Sequence, residues 1–83
     1  MNYLPAVVEA QYVSGYVIRL SFDDGTHKSV DVSQWFNGEV FELLKNVSTF
    51  QKFFVEAGTL AWPCGVDIAP EALYEAENVQ KAA

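Results

Sequence analysis

The sequence predicts an α+β domain: an antiparallel β-meander and a second hairpin, packed with short helices and a C-terminal amphipathic helix. Three observations predict it. Residues 6–32 alternate apolar and polar side chains around two glycine-containing turns, the period of half-buried strands. From Val40 onward the apolar spacing changes to three and four residues, the period of helices. The stretch Trp62-Pro63-Cys64-Gly65-Val66-Asp67-Ile68-Ala69-Pro70 then holds two prolines and a glycine, a density that constrains the backbone as strand end, turn and helix start.

Within the meander, Tyr16, Ile18, Leu20 and Phe22 share one face of the second strand, and Val17, Arg19 and Ser21 the other. A two-residue Asp24-Gly25 loop would set Ile18 opposite Asp31. A three-residue loop sets Phe22 opposite Thr26, Leu20 opposite Lys28, Ile18 opposite Val30 and Tyr16 opposite Val32, which keeps apolar residues together and gives Gly25 the left-handed position. The same rule applied to Val13-Ser14-Gly15 pairs Tyr12 with Tyr16, Ala10 with Ile18 and Val8 with Leu20. The opposite face then carries Glu9, Gln11, Arg19, Ser21, His27, Ser29 and Asp31, a solvated or partner-facing surface.

After Val32, Ser33 is placed to cap a single turn through Gln34, Trp35 and Phe36, stopped by Asn37-Gly38. Val40, Leu43, Leu44 and Val47 mark a second short helix. Ser48-Thr49-Phe50-Gln51 has capping-box spacing and predicts one more turn. Phe53–Glu56 and Thr59–Trp62 form the second hairpin around Ala57-Gly58, with loops of two or three residues both acceptable. From Pro70 a helix carries Ala72, Leu73, Ala76 and Val79 on one side and Glu71, Glu75 and Asn78 on the other. Asp67 is placed to cap its start, with Ala69 or Glu71 as donor because Pro70 has no N–H. Glu77 precedes Lys81 at the favourable four-residue spacing, and Ala82 and Ala83 end the helix in a frayed turn.

At 83 residues the chain reads as one small domain over residues 1–83, ordered from about residue 4 to 80. A core of this size supplies only about 3–5 kcal/mol, so burial against a partner would help. Eleven acidic residues against five basic ones give a net charge of −6, which repels phosphate backbones and argues against direct nucleic-acid binding. Cys64 is the only cysteine, so no disulfide can form within the chain. Met1–Gln11 lacks the charged and apolar regions of a secretory signal, and no run reaches the ~20 apolar residues of a membrane span. We therefore expect a cytoplasmic protein with no membrane association.

The pattern Trp62-Pro-x-Gly65-x-Asp67-Ile68-Ala69-Pro70-Glu71-x-Leu73-Tyr74 resembles the C-terminal signature of the small bacterial domain-of-unknown-function family 2442. Pro5 before a hydrophobic strand, Phe22-x-Asp24-Gly25 at a hairpin and Val30-Asp31-Val32 after it resemble the same family, so the likeness covers nearly the whole chain. Cys64 stands where the family pattern has a small polar residue such as Asn. Some members of the family resemble the N-terminal half of helix-turn-helix proteins, and others are encoded beside a second small protein in toxin–antitoxin-like pairs. This chain has too few residues after Val79 for a helix-turn-helix, so the resemblance implies a DNA-linked role only through another chain.

Catalytic chemistry has little to stand on. Ser21, His27 and Asp31 can be written as a triad, yet a flat strand surface offers neither a constrained nucleophile nor an oxyanion site. Cys64, beside Gly65 and near a helix start, lacks a nearby histidine or second cysteine and reads as a buried small hydrophobe. One cysteine and one histidine do not make a zinc site, and Asp23-Asp24 lacks the alternating oxygens of a calcium loop. We expect no cofactor, no metal and no enzymatic activity. Gly25, Asp31, Pro63, Gly65, Asp67 and Pro70 read as structural. Trp62 and Tyr74 read first as core and second as interface, while Trp35 and Phe36, on a short turn, are candidates for an exposed aromatic patch. The expectation is a non-catalytic interaction module that binds another small, basic protein in an antitoxin-like or regulatory role, or binds a second copy of itself. The alternative is an accessory or sensory domain of a DNA-associated regulator.

Overall fold

The computed structural model describes residues 5–36 and 38–79. These residues form two antiparallel three-stranded sheets and four short helical segments, an α+β architecture. The first sheet is a meander of β1 (Val7–Ser14), β2 (Val17–Phe22) and β3 (His27–Asp31) in sequential order. The second is formed by β4 (Phe54–Glu56), β5 (Thr59–Ala61) and β6 (Asp67–Ile68).

The β2–β3 register is the one expected from apolar parity together with the Gly25 turn. Ile18 faces Val30 and Leu20 faces Lys28, while Phe22 N–H bonds Thr26 O at 2.8 Å and Gly25 adopts φ +90°. Ile18, Leu20, Phe22, Val30 and Val32 consequently all enter the core. The β1–β2 register differs from expectation. Ser14 faces Val17 across a two-residue Gly15-Tyr16 turn, and a bulge between Tyr12 and Ser14 sets Tyr12 opposite Ile18 and Ala10 opposite Leu20. A slip of two residues leaves every side chain on the same face, so hydrophobic pattern has no power to exclude it. A second bulge between Val7 and Glu9 puts Val7 opposite Phe22 and leaves Val8 58% exposed. Val17, expected on the polar face, is buried.

The caps of the short helices also differ. Asp31, not Ser33, caps the 3-10 turn Val32–Trp35, because its carboxylate accepts from Ser33 N at 3.0 Å and from Ser33 Oγ at 2.6 Å. A longer 3-10 helix spans Glu39–Lys45. With three residues per turn it brings Phe41 and Leu44 into phase towards the core, and the expected stripe breaks: Leu44 is buried while Leu43 and Val47 are exposed. The expected stop at Asn37 and the side chain of Val40 lie outside the described residues. The next turn, α1 (Val47–Phe50), exists as expected, but its cap is Asn46, which accepts from Thr49 N at 3.3 Å, rather than Ser48.

In the second sheet, Glu56 faces Thr59, so Ala57 and Gly58 form a two-residue loop with φ of +53° and +79°, the primed geometry that suits strand twist. Trp62 to Val66 makes a further hairpin loop: Gly65 N–H bonds Trp62 O at 3.0 Å, Trp62 N–H bonds Val66 O at 2.8 Å, and Gly65 has φ +99°. This repeats the Phe22–Thr26 loop bond for bond. The chain beyond it forms β6, with Asp67 exposed opposite Ala61. Asp67 is therefore engaged in a strand and does not cap the last helix, whose N-cap, Ala69, has no side-chain cap.

That helix, α2 (Pro70–Glu75), has Pro70 in its first turn as expected and ends earlier than its apolar spacing suggests. Ala76 is already extended, at φ −67° and ψ 153°, and Val79 N–H bonds Ser29 O at 2.7 Å. The cause is Lys28, whose ammonium donates to the carbonyls of Tyr74 and Ala76 and so satisfies the helix end from a neighbouring strand. Leu73 is buried, with Ala72 and Ala76 packed at the core margin. Lys81, Ala82 and Ala83 lie outside the described residues. One core joins both sheets, running from Val7, Ile18 and Leu20 through Leu44 and Phe50 to Leu60, Trp62, Ile68 and Leu73.

Candidate functional site

The resemblance-bearing residues meet at one place, and one of them, Trp62, joins a second cluster. At the first, the β2–β3 loop meets the C-terminal helix. The Tyr74 phenol donates to Asp24 Oδ2 at 2.6 Å, and its ring meets Phe22 edge-on at 5.0 Å between centroids. The Lys28 ammonium lies 5.5 Å from the same ring. Asp24 also accepts from Thr26 N at 2.9 Å. These bonds stabilise the carboxylate, the Tyr74 phenol most of all and then the Thr26 amide, and hold Asp24 below the usual carboxylate range. Reciprocally, the bond to Asp24 pushes the Tyr74 phenol above its ordinary range.

The second place is an aromatic cluster centred on Phe50. Its ring lies 5.2 Å from Tyr16, 5.9 Å from Trp62 and 6.3 Å from Phe36. Trp62 is 2% exposed and its indole N–H bonds Phe50 O at 2.7 Å, so the tryptophan is core, the first of its two expected roles. Trp35 and Phe36 are half-buried at the edge of the cluster, and Phe36 stacks on Phe41 at 6.1 Å. Next along the chain, Leu43 and Val47 are 57% and 40% exposed. Glu39 and Glu42 are exposed on the same stretch, where Glu42 pairs with Lys45 at 3.0 Å.

Groups considered for catalysis are dispersed. Ser21 Oγ and His27 Nδ1 lie 2.9 Å apart across β2 and β3, whereas the Asp31 carboxylate is engaged with Ser33 at the far end of β3. Cys64 is exposed in the Trp62–Val66 loop, contrary to its reading as a buried small hydrophobe, because the loop turns that position outward. Among the described residues no group of three or more His, Cys, Asp and Glu side chains is placed to hold a metal ion, and no helix is long and apolar enough to cross a membrane.

Sequence reading located Tyr74, Asp31 and Gly65 but not Lys28 or Asn78, whose Oδ1 accepts from Ser29 N at 2.8 Å. Both act on chain more than forty residues away, so no local spacing betrays them. Neither the curated proteins nor the solved structures compared with this chain include a match. The family model described as "Protein of unknown function (DUF2442)" matches residues 7–78, and on that coverage the chain belongs to this family.

Proposed function

We propose that this domain is a non-catalytic protein-interaction module that uses the surface of its short-helix segment, residues 32–50, to bind another small and basic protein. The observation that carries the reading is the exposure of Leu43 and Val47 on the same stretch of chain as the half-buried Trp35, Phe36 and Phe41. Apolar side chains left in water on an irregular segment gain free energy when a partner covers them. Glu39 and Glu42 on that segment, and a net charge of −6 over the chain, favour a basic partner and exclude acidic competitors by repulsion. An antitoxin-like role, covering a basic protein's working surface, fits this chemistry.

The test is capture from lysate of the source cell with the tagged domain, followed by reconstitution of binding with each purified retained protein. A basic protein should bind wild type and bind Leu43→Ser/Val47→Ser at least tenfold more weakly, with the unfolding midpoint of the variant unchanged. Its affinity should fall as salt rises. Equal binding by Leu43→Ser/Val47→Ser and wild type would place the interface elsewhere, and salt-independent binding would remove the electrostatic argument.

A further inference from the structure

The C-terminal arm, residues 69–79, is fastened to the rest of the domain in an unusual way. Its helix α2 buries one side chain completely, Leu73. Ala72, Tyr74 and Ala76 pack at the core margin, Tyr74 with its ring edge-on to Phe22, and a set of polar bonds runs from the arm to the β2–β3 hairpin: Tyr74 to Asp24, Lys28 to the carbonyls of Tyr74 and Ala76, and Asn78 and Val79 to Ser29. Ser29 is central to this pattern. Phe22 N–H bonds Thr26 O and Val32 N–H bonds Tyr16 O, so antiparallel alternation directs the backbone groups of Lys28 and Val30 towards β2 and those of Ser29 away from it. The outward N–H of Ser29 is satisfied by the Asn78 side chain and its outward C=O by the Val79 amide. The arm thus closes the free edge of β3 with one side-chain bond and one backbone bond, not with a strand ladder.

We propose that residues 69–79 form a latch that opens as one cooperative unit while the meander stays folded, with Lys28 setting how often it opens. Opening releases both backbone groups of Ser29 and converts a sealed sheet edge into one that can accept an extended segment. Lys28 holds this position because its one ammonium donates to both carbonyls at which the arm changes from helix to extended chain. The proposal is independent of the binding surface on residues 32–50.

Single-amide hydrogen exchange on the full chain, followed by nuclear magnetic resonance, tests it. Ser29, Ala76 and Val79 should exchange at a common opening equilibrium, at least tenfold less protected than Lys28 and Val30, the immediate neighbours of Ser29 in the same strand. Lys28→Met should lower the protection of Ser29, Ala76 and Val79 together, by about tenfold or more, and leave Val30 and Ile18 unchanged. Tyr74→Phe provides a second perturbation that keeps the ring and should move the same three amides in the same direction. Two results would overturn the latch. If Ser29 exchanges with Val30, the arm opens only with the whole meander. If Ser29, Ala76 and Val79 respond separately to the two substitutions, the arm frays residue by residue and is not a unit.

Discussion

The phenol of Tyr74 donates its hydrogen bond to the carboxylate of Asp24 at 2.6 Å, joining the two chain segments that carry the family's hairpin and C-terminal patterns. Each residue also has a role apart from the other. Asp24 could serve the β2–β3 loop alone, as its bond to Thr26 N shows, and Tyr74 could serve α2 as one more aromatic against Phe22. Together they tie the last helix to the first sheet, and Lys28 completes the tie from β3.

This bond makes stability depend on pH at both extremes. Asp24 titrates below the usual carboxylate range, so its contribution is complete above the ordinary carboxylate pKa and is lost as pH falls through the depressed value. Tyr74 titrates above the usual phenol range, so its contribution is complete below the ordinary phenol pKa and is lost as pH rises through the raised value. Thermal unfolding of wild type and Tyr74→Phe across pH should therefore show the largest difference between the two limits and convergence towards each. A constant offset at every pH would mean that only packing was lost.

The two positive-φ loops of the second sheet differ in what a methyl group would meet. A Cβ on Gly58 would lie 2.9 Å from Ala6 Cβ, whereas a Cβ on Gly65 meets nothing within 4 Å. Gly65→Ala should lose about 1–2 kcal/mol from backbone strain alone. Gly58→Ala should lose more, because Ala6 must also move. Ala57, at φ +53° without a glycine's freedom, should gain about 0.5–1 kcal/mol on Ala57→Gly. Denaturant unfolding resolves all three, and equal losses at Gly58 and Gly65 would show that the approach of Ala6 contributes nothing.

Trp62→Phe separates core from interface. The indole N–H satisfies Phe50 O inside the aromatic cluster, so the substitution leaves a buried carbonyl unpaired at about 1–3 kcal/mol, in addition to the lost volume. Urea unfolding should show that loss with an unchanged m-value. In molecules that remain folded, affinity for the basic partner we propose should equal that of wild type, and a drop in affinity without loss of stability would return Trp62 to the interface.

Local chemistry decided much of this molecule. Apolar alternation together with Gly25 was enough to set the β2–β3 register, because a slip of one residue would have turned Ile18 and Leu20 to solvent. Pro70 was enough to start α2, and the spacing of prolines and glycine from Trp62 to Pro70 was enough to locate the turn. Tertiary structure decided the rest. The β1–β2 register slipped by two residues, which hydrophobic parity does not detect, and bulges rather than composition determined that Val7 is buried and Val8 exposed. The end of α2 was decided by Lys28, and the place of Asn78 by Ser29, through bonds between residues whose separation along the chain hides them from any periodicity. Sequence spacing describes what a segment can do by itself. Which donors and acceptors remain unpaid at its ends, and which distant side chain satisfies them, is settled only when the segments meet.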